Sequence, residues 1–370
     1  MTTDSLPKSI PISVKSAYRA FLQLGAIEAE DRSRGVQAMA VGLEKAASDI
    51  LEANTLDLVA SREMAVPELI LKWLKLTPER LQNAIAILYE LAEKSDPIEK
   101  MMSAPHQLSS SQTYTQLRPL GTVAFVYEGF PELAAIAAGM CLKTSNSIIL
   151  RGGAEASQTN SIIAQTLQIA LEEASLPPGC VETIAADRGS SIQDLVSLNQ
   201  YLSLVIPYGR PTLVSQVVQL STAPTIESAM GNCYLYWANS GDLELVRAIV
   251  IDSHASQPDP VNAIEKVLIN ANQKSSSLLR LFNSLIEKGF ELRGDKELVK
   301  EFPEHLIAVT ESEWSQPYLD RIVAFKTIDN IESAIAWISQ HSSGHADCLV
   351  TESYQESRKF ATGLDSALIY

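Results

Sequence analysis

Four short segments of the chain place chemically useful residues just after runs of apolar, β-favouring residues or just before one. RGGAE at 151–155 follows SIIL. Glycines at a strand-to-helix turn let backbone amides approach a phosphate or a ribose, with Arg151 as a cation and Glu155 as an acceptor. Gly152 and Gly153 suit a tight turn without a ligand as well, because neither a G-x-G-x-x-G pattern nor a P-loop is present. Gly209 and Arg210 follow LVIPY and offer a second amide cradle with a phosphate-pairing cation, or a plain helix start with a solvated Arg. GFPE at 129–132 follows TVAFVYE and sets Glu132 beyond a strand end. SQPDPVNAIE at 256–265 precedes KVLIN; Pro258 and Pro260 fix an extended loop, and Asn262 and Glu265 read as polar site residues or as caps. Glu132, Asp259 and Glu265 are the carboxylates on which acid–base chemistry in one cleft would draw.

Thiol and metal chemistry have less to work with. Cys141, Cys180, Cys233 and Cys348 are scattered, with no CxxC pair, and read as buried structural thiols. Only five histidines occur, with one pair, His341 and His345, at i, i+4, and no metal is expected.

The elements that must position these residues follow from periodicity. Residues 14–60 carry apolar positions at helical spacing, and LTPERLQNAIAILYELAEK at 76–94 is a helix with Thr77 as N-cap and Pro78 at its first position. From 112 the period shortens: QTYTQLRPLG and TVAFVYE read as a strand, a turn and a buried strand. Helices at 131–142, 155–174, 191–199 and 211–220 then alternate with SIILRG, CVETIA, LSLVIPYG and the extended APTIES. Strands alternating with helices of ten or more residues mean right-handed βαβ crossovers and a parallel, doubly wound sheet, whose ligands sit at the carboxyl ends of the strands. A second α/β unit follows a boundary near 227–240: CYLYW, a helix at 241–253, EKVLIN, a helix at 275–288, GFELRG, HLIAV, RIVAFK, a helix at 328–340, DCLVT and a helix at 353–363.

The formal net charge of -15 argues against nucleic acid or an anionic membrane surface as partner, since like charges repel. The first residues lack the basic start and apolar run of a signal peptide, and no stretch is long and apolar enough to span a membrane, so the expected location is cytosolic.

The segments RPLGTVAFVYEGFPE, CLKTSNSIILRGGAE, LPPGCVETIAADR, LVIPYGR, STAPTIESAMGNC, NAIEKVLIN and GHADCLVTE together resemble gamma-glutamyl phosphate reductase, also called glutamate-5-semialdehyde dehydrogenase, of the aldehyde dehydrogenase superfamily. The resemblance implies an α/β, aldehyde-dehydrogenase-like fold. It implies N-terminal helices with a doubly wound, Rossmann-like cofactor-type domain over 1–111 and 121–230, part of an oligomerisation-type β-hairpin over 112–120, and a catalytic-type α/β domain over 231–370. The family reduces gamma-glutamyl phosphate with NADPH in proline synthesis, through a thiolate nucleophile, an oxyanion site and a hydride from nicotinamide. Arg151, Gly152, Gly153 and Glu155 match the family's cofactor-side turn, and Gly209 and Arg210 fall on a second, so NADP(H) is the implied cofactor.

The same resemblance implies that the chemistry is altered. The family's nucleophilic cysteine, followed by asparagine, falls on Val261, followed by Asn262, and valine has no lone pair to attack with. Where the family has Arg and Asn after its Tyr-Glu pair, this chain has Phe130 and Glu132, and a carboxylate there is expected to repel a developing oxyanion. Family members also continue past the segment matching Asp365–Tyr370 with a glycine-rich loop and a pairing strand, so the expectation is a shortened catalytic-type domain and a weakened family-type dimer. These departures imply a catalytically inactive relative serving as a binding or regulatory module for an unknown protein partner. The alternatives are an active oxidoreductase of the family and an enzyme using Glu132, Asp259 or Glu265 as acid or base.

Overall fold

Apolar residues three and four apart close residues 12–93 into five helices: α1 (Ile12–Leu24), α2 (Ala29–Lys45), α3 (Ala47–Glu63), α4 (Glu68–Leu74) and α5 (Pro78–Glu93). α5 starts as its sequence dictates, with the Thr77 hydroxyl accepting the Arg80 amide at 3.2 Å and proline at the first position, where no amide is needed. The computed structural model describes residues 11–98, 100–103, 114–186, 191–256 and 261–370, and the chain divides into the units Met1–Ala229 and Met230–Tyr370.

In the first unit β1 (Met101–Ser103) pairs antiparallel with β2 (Tyr114–Gln116). The sequence marked β2 but not β1, a three-residue strand too short to show an alternation. The remaining part of the 112–120 hairpin expectation at 112–113 lies outside the described residues. Then come β3 (Thr122–Tyr127), α6 (Leu133–Lys143), β4 (Ser147–Arg151), α7 (Ser157–Glu173), β5 (Val181–Thr183), α8 (Ile192–Val196), β6 (Leu204–Gly209), α9 (Pro211–Leu220) and β7 (Ser228–Ala229). The five strands run parallel in the order β5-β4-β3-β6-β7. Every residue of β3 is buried, as a parallel strand covered on both faces requires. Its side chains alternate between two cores: Phe125 and Tyr127 join Val36, Met39, Leu43 and Leu88 on one face, while Ala124 and Val126 join Val14, Val196 and Val217 on the other. The chain leaves β3 toward β4 and β5 and returns on the other side to β6. The loops after β3 and β6 therefore diverge, making the crevice where such sheets hold ligands.

The second unit contains β8 (Cys233–Trp237), α10 (Leu243–Ser253), β9 (Ile264–Asn270), α11 (Ser275–Glu287), β10 (Glu291–Gly294), α12 (Lys296–Glu301), β11 (Ile307–Ala308), β12 (Ile322–Ile328), α13 (Ile331–His341), β13 (Ala346–Val350), α14 (Tyr354–Gly363) and β14 (Leu368–Ile369). Its seven strands are parallel in the order β11-β10-β12-β9-β8-β13-β14. The sequence reading ran GFELRG directly into HLIAV, whereas α12 intervenes. Asp295 caps it, accepting from the amides of Glu297 and Leu298 at 3.1 and 2.9 Å, and this crossover is what makes β10 and β11 parallel. Among the described residues no helix is long and apolar enough to cross a membrane.

Candidate functional site

The loop from Glu128 to Glu132, between β3 and α6, is tied to four different parts of the first unit. Glu128 reaches across the crevice to the start of α9: its Oε1 accepts the Arg210 amide at 2.5 Å and Arg210 Nε at 3.0 Å, and its Oε2 accepts Arg210 Nη2 at 2.9 Å. These bonds raise the Arg210 pKa above its ordinary value. The Gly129 amide donates to Glu155 Oε1 at 3.2 Å. The Phe130 amide donates to the Trp73 carbonyl at 3.1 Å, and the two rings stack with centroids 5.2 Å apart. Glu132 Oε1 accepts Arg80 Nε at 2.8 Å and is bonded by Arg80 Nη2 as well. Gly129 and Phe130 both have positive φ, 60° and 43°; a Cβ at Gly129 would stand 2.7 Å from the Cβ of Trp73, so glycine is required there.

Two sequence expectations change on this geometry. The Arg210 amide, read as part of an anion cradle, already holds an anion, the carboxylate of Glu128. Glu132 does not stand as a bare charge: Arg80 neutralises it, so the expected repulsion of an oxyanion is corrected to the lack of a donor at this position. Its Oε2 is buried without a hydrogen-bond partner, and Arg80 lies 5.5 Å from the Phe130 ring centroid. Burial pushes the neighbouring Tyr208 hydroxyl up to about 12, with Glu132 adding to the shift. Sequence reasoning missed Arg80 as a site residue. The available signal was a cation in the first turn of a helix, where the macrodipole disfavours it unless a tertiary anion compensates.

The turn after β4 borders a cleft of about 720 Å³ lined by Tyr127, Gly152, Gly153, Asn160, Thr183 and Ile184 among others. Tyr127 donates its hydroxyl proton to Asn160 Oδ1 at 3.0 Å, and Asn160 Nδ2 donates to the Gly153 carbonyl at 3.4 Å. A Cβ at Gly152 would stand 2.1 Å from Asn160 Nδ2, and one at Gly153 the same distance from Glu155 Oε1. Burial lowers the Arg151 pKa, opposed by the nearby Glu155. Arg151, Gly152, Gly153 and Glu155 are thus gathered at one turn, and Gly209 and Arg210 at another.

In the second unit Val261 is half-buried and Asn262 exposed, just ahead of β9; Asp259 lies outside the described residues. Glu265 and Lys266 point into the unit and pin one segment. Glu265 accepts the amides of Tyr318 and Leu319 at 2.5 and 2.7 Å, and Lys266 Nζ donates to the Gln316 carbonyl at 3.2 Å while resting 3.6 Å from the centre of the Tyr318 ring. Desolvation raises the Glu265 pKa and lowers that of Lys266 to about 8. Glu265 is therefore a buried anchor with both oxygens engaged by backbone, which corrects its reading as an acid or base.

All four cysteines are free. Burial pushes the thiols of Cys141, Cys180 and Cys233 up to about 12 and that of Cys348 to about 11, the reverse of nucleophile activation. Cys141 is only half-buried by surface area, unlike the other three. Cys233 Sγ lies 4.0 Å from the Val261 carbonyl oxygen. Among the described residues no group of three or more His, Cys, Asp or Glu is placed to hold a metal.

Residues 3–230 match the aldehyde dehydrogenase family. The chain is 54% identical over 370 residues to gamma-glutamyl phosphate reductase 2 of Synechocystis sp., covering 100% of this chain and 88% of the relative. The crystal structure of gamma-glutamyl phosphate reductase from Thermotoga maritima superposes with a TM-score of 0.86 at 29% identity, covering 97% of this chain and 86% of that one. An engineered glycolyl-CoA reductase with bound NADP+ gives a TM-score of 0.69 at 14% identity, covering 100% and 88%, a likeness of fold alone.

Proposed function

The chain belongs to the gamma-glutamyl phosphate reductases of the aldehyde dehydrogenase family, and from that premise we propose that it has lost acyl transfer and works as a binding or regulatory module. The observation that carries the reading is Val261, which stands where the family resemblance puts the nucleophile. A hydrocarbon side chain forms no acyl intermediate at any pH. No other thiol is poised to replace it, since burial holds all four cysteines protonated. Glu132 compounds the loss, because it offers an acceptor where a developing oxyanion needs a donor.

NADP(H) is the cofactor this reading retains, held by Arg151, Gly152, Gly153 and Glu155 beside the cleft and by the Gly209–Arg210 turn. The cleft is large enough for part of a dinucleotide, and the glycines leave room for close backbone approach. When bound, the nicotinamide would supply a hydride, for which this chain presents no acylated residue. The Glu128 carboxylate on Arg210 must yield for a phosphate to reach that amide. The same reading has a protein as partner and a cytosolic location, in keeping with four unpaired cysteines.

The deciding assay follows NADPH oxidation with gamma-glutamyl phosphate generated enzymatically. No turnover above background is expected from pure protein; turnover that persists through repurification overturns the proposal. Val261→Cys assayed alongside should stay inactive, because Glu132 remains. Activity restored by that single change would show that the nucleophile alone was missing.

A further inference from the structure

Glu155 joins the turn after β4 to the loop after β3. It sits in the turn after β4, yet its Oε1 accepts the amide of Gly129 in the loop after β3, at 3.2 Å. Its carboxylate lies directly against Gly153: a Cβ there would stand 2.1 and 2.3 Å from the two oxygens. Gly153 in turn lines the 720 Å³ cleft, so the carboxylate lies against a residue that lines that cleft. A ligand entering the turn with hydroxyl or amide donors meets a carboxylate already engaged elsewhere.

What Glu155 holds adjoins a strained residue. Gly129 and Phe130 both occupy positive φ, a conformation that glycine adopts freely and that strains Phe130. The next two ties of the loop are the Phe130 amide on the Trp73 carbonyl and the Arg80–Glu132 pair. Removing the Gly129 tie leaves a strained residue with one fewer restraint, next to the ring that stacks on Trp73.

We propose that Glu155 is a positioning residue through which occupancy of the turn after β4 sets the conformation of the Glu128–Glu132 loop. Donors on a ligand, such as the paired hydroxyls of a ribose, compete with the Gly129 amide for one carboxylate. When they win, the loop relaxes around Phe130. The inference rests on the nucleotide-binding reading above for the identity of the occupant, but not for the tie itself.

The test uses the full chain, with Trp73 emission and amide hydrogen exchange as readouts and Trp73→Phe to isolate the Trp73 signal. Without ligand, Glu155→Ala should speed exchange at Gly129 at least about tenfold and alter Trp73 emission, whereas Glu155→Gln, which keeps an acceptor oxygen, should do neither. Gly153→Ala should reproduce Glu155→Ala, because its methyl displaces the flexible carboxylate and leaves the backbone in place. With ADP-ribose or NADPH added, Trp73 emission should change along the calorimetric binding curve in the native chain but not in Glu155→Ala. Unchanged exchange at Gly129 in Glu155→Ala overturns the tie. Binding by calorimetry with silent Trp73 overturns the coupling and leaves the nucleotide reading standing, while no binding of either probe overturns both.

Discussion

At the scale of single residues, charge pairing is the feature that the fold adds to the sequence. Arg80 and Glu132 are both nearly nine-tenths buried, and removing one partner of such a pair strands the other's charge. Arg80→Ala should therefore destabilise the chain by about 3 kcal/mol in urea unfolding, while Arg80→Met combined with Glu132→Leu should recover most of that loss. The thiols give a second prediction. With native pKa values of about 11 to 12, their thiolate fraction at pH 8 is far below that of an unfolded cysteine. A thiol reagent at pH 8 should label the folded chain at least about a hundredfold more slowly than the denatured chain. One fast-reacting cysteine in the native protein would reopen the case for covalent catalysis.

At the scale of elements, β9 carries two buried ionisable neighbours that clamp Gln316–Leu319. The Lys266 pKa falls to about 8 in the fold against its ordinary 10.5, so across that window the unfolded chain keeps a proton that the folded chain has released. Unfolding then takes up a proton, and this lysine's contribution to stability improves as pH rises from about 8 to 10.5, its penalty being fully present below that range. The unfolding free energy of the native chain minus that of Lys266→Met should accordingly move in favour of the native chain between pH 8 and pH 10.5. Subtraction removes the opposite drift from cysteines, whose raised pKa values cost stability as pH climbs past 9. The same scale shows what a sequence reader can and cannot see. TVAFVYE and CYLYW announce buried parallel strands because local apolar runs are enough to define them. β1 and α12 escaped because one is only three residues long and the other a single capped turn and a half. The cofactor-side turn was legible as glycines between strand and helix. The ties Glu128–Arg210 and Arg80–Glu132 were not, being 82 and 52 residues apart with no local pattern to join them.

At the scale of the whole molecule, two units with separate cores set the unfolding behaviour. Phe125, Leu142 and Leu167 pack in the first, and Trp237, Phe282 and Phe325 in the second. Differential scanning calorimetry should give a calorimetric enthalpy larger than the van't Hoff enthalpy; a ratio of one would mean the units melt as one. The strand order of the second sheet also governs how the chain is born. β8 must take its neighbour β13 from residues more than a hundred positions further on, Cys348 lying opposite Leu235. On a ribosome, chain emerges at roughly 5–20 residues per second, so β8 waits on the order of ten seconds with one edge bare. The first unit, whose β3 finds both β4 and β6 within about eighty residues, can close in that interval. The nascent second unit is then the part that a chaperone has to shield, and β8, buried at every position once folded, is the strand it must keep from its neighbours on the polysome.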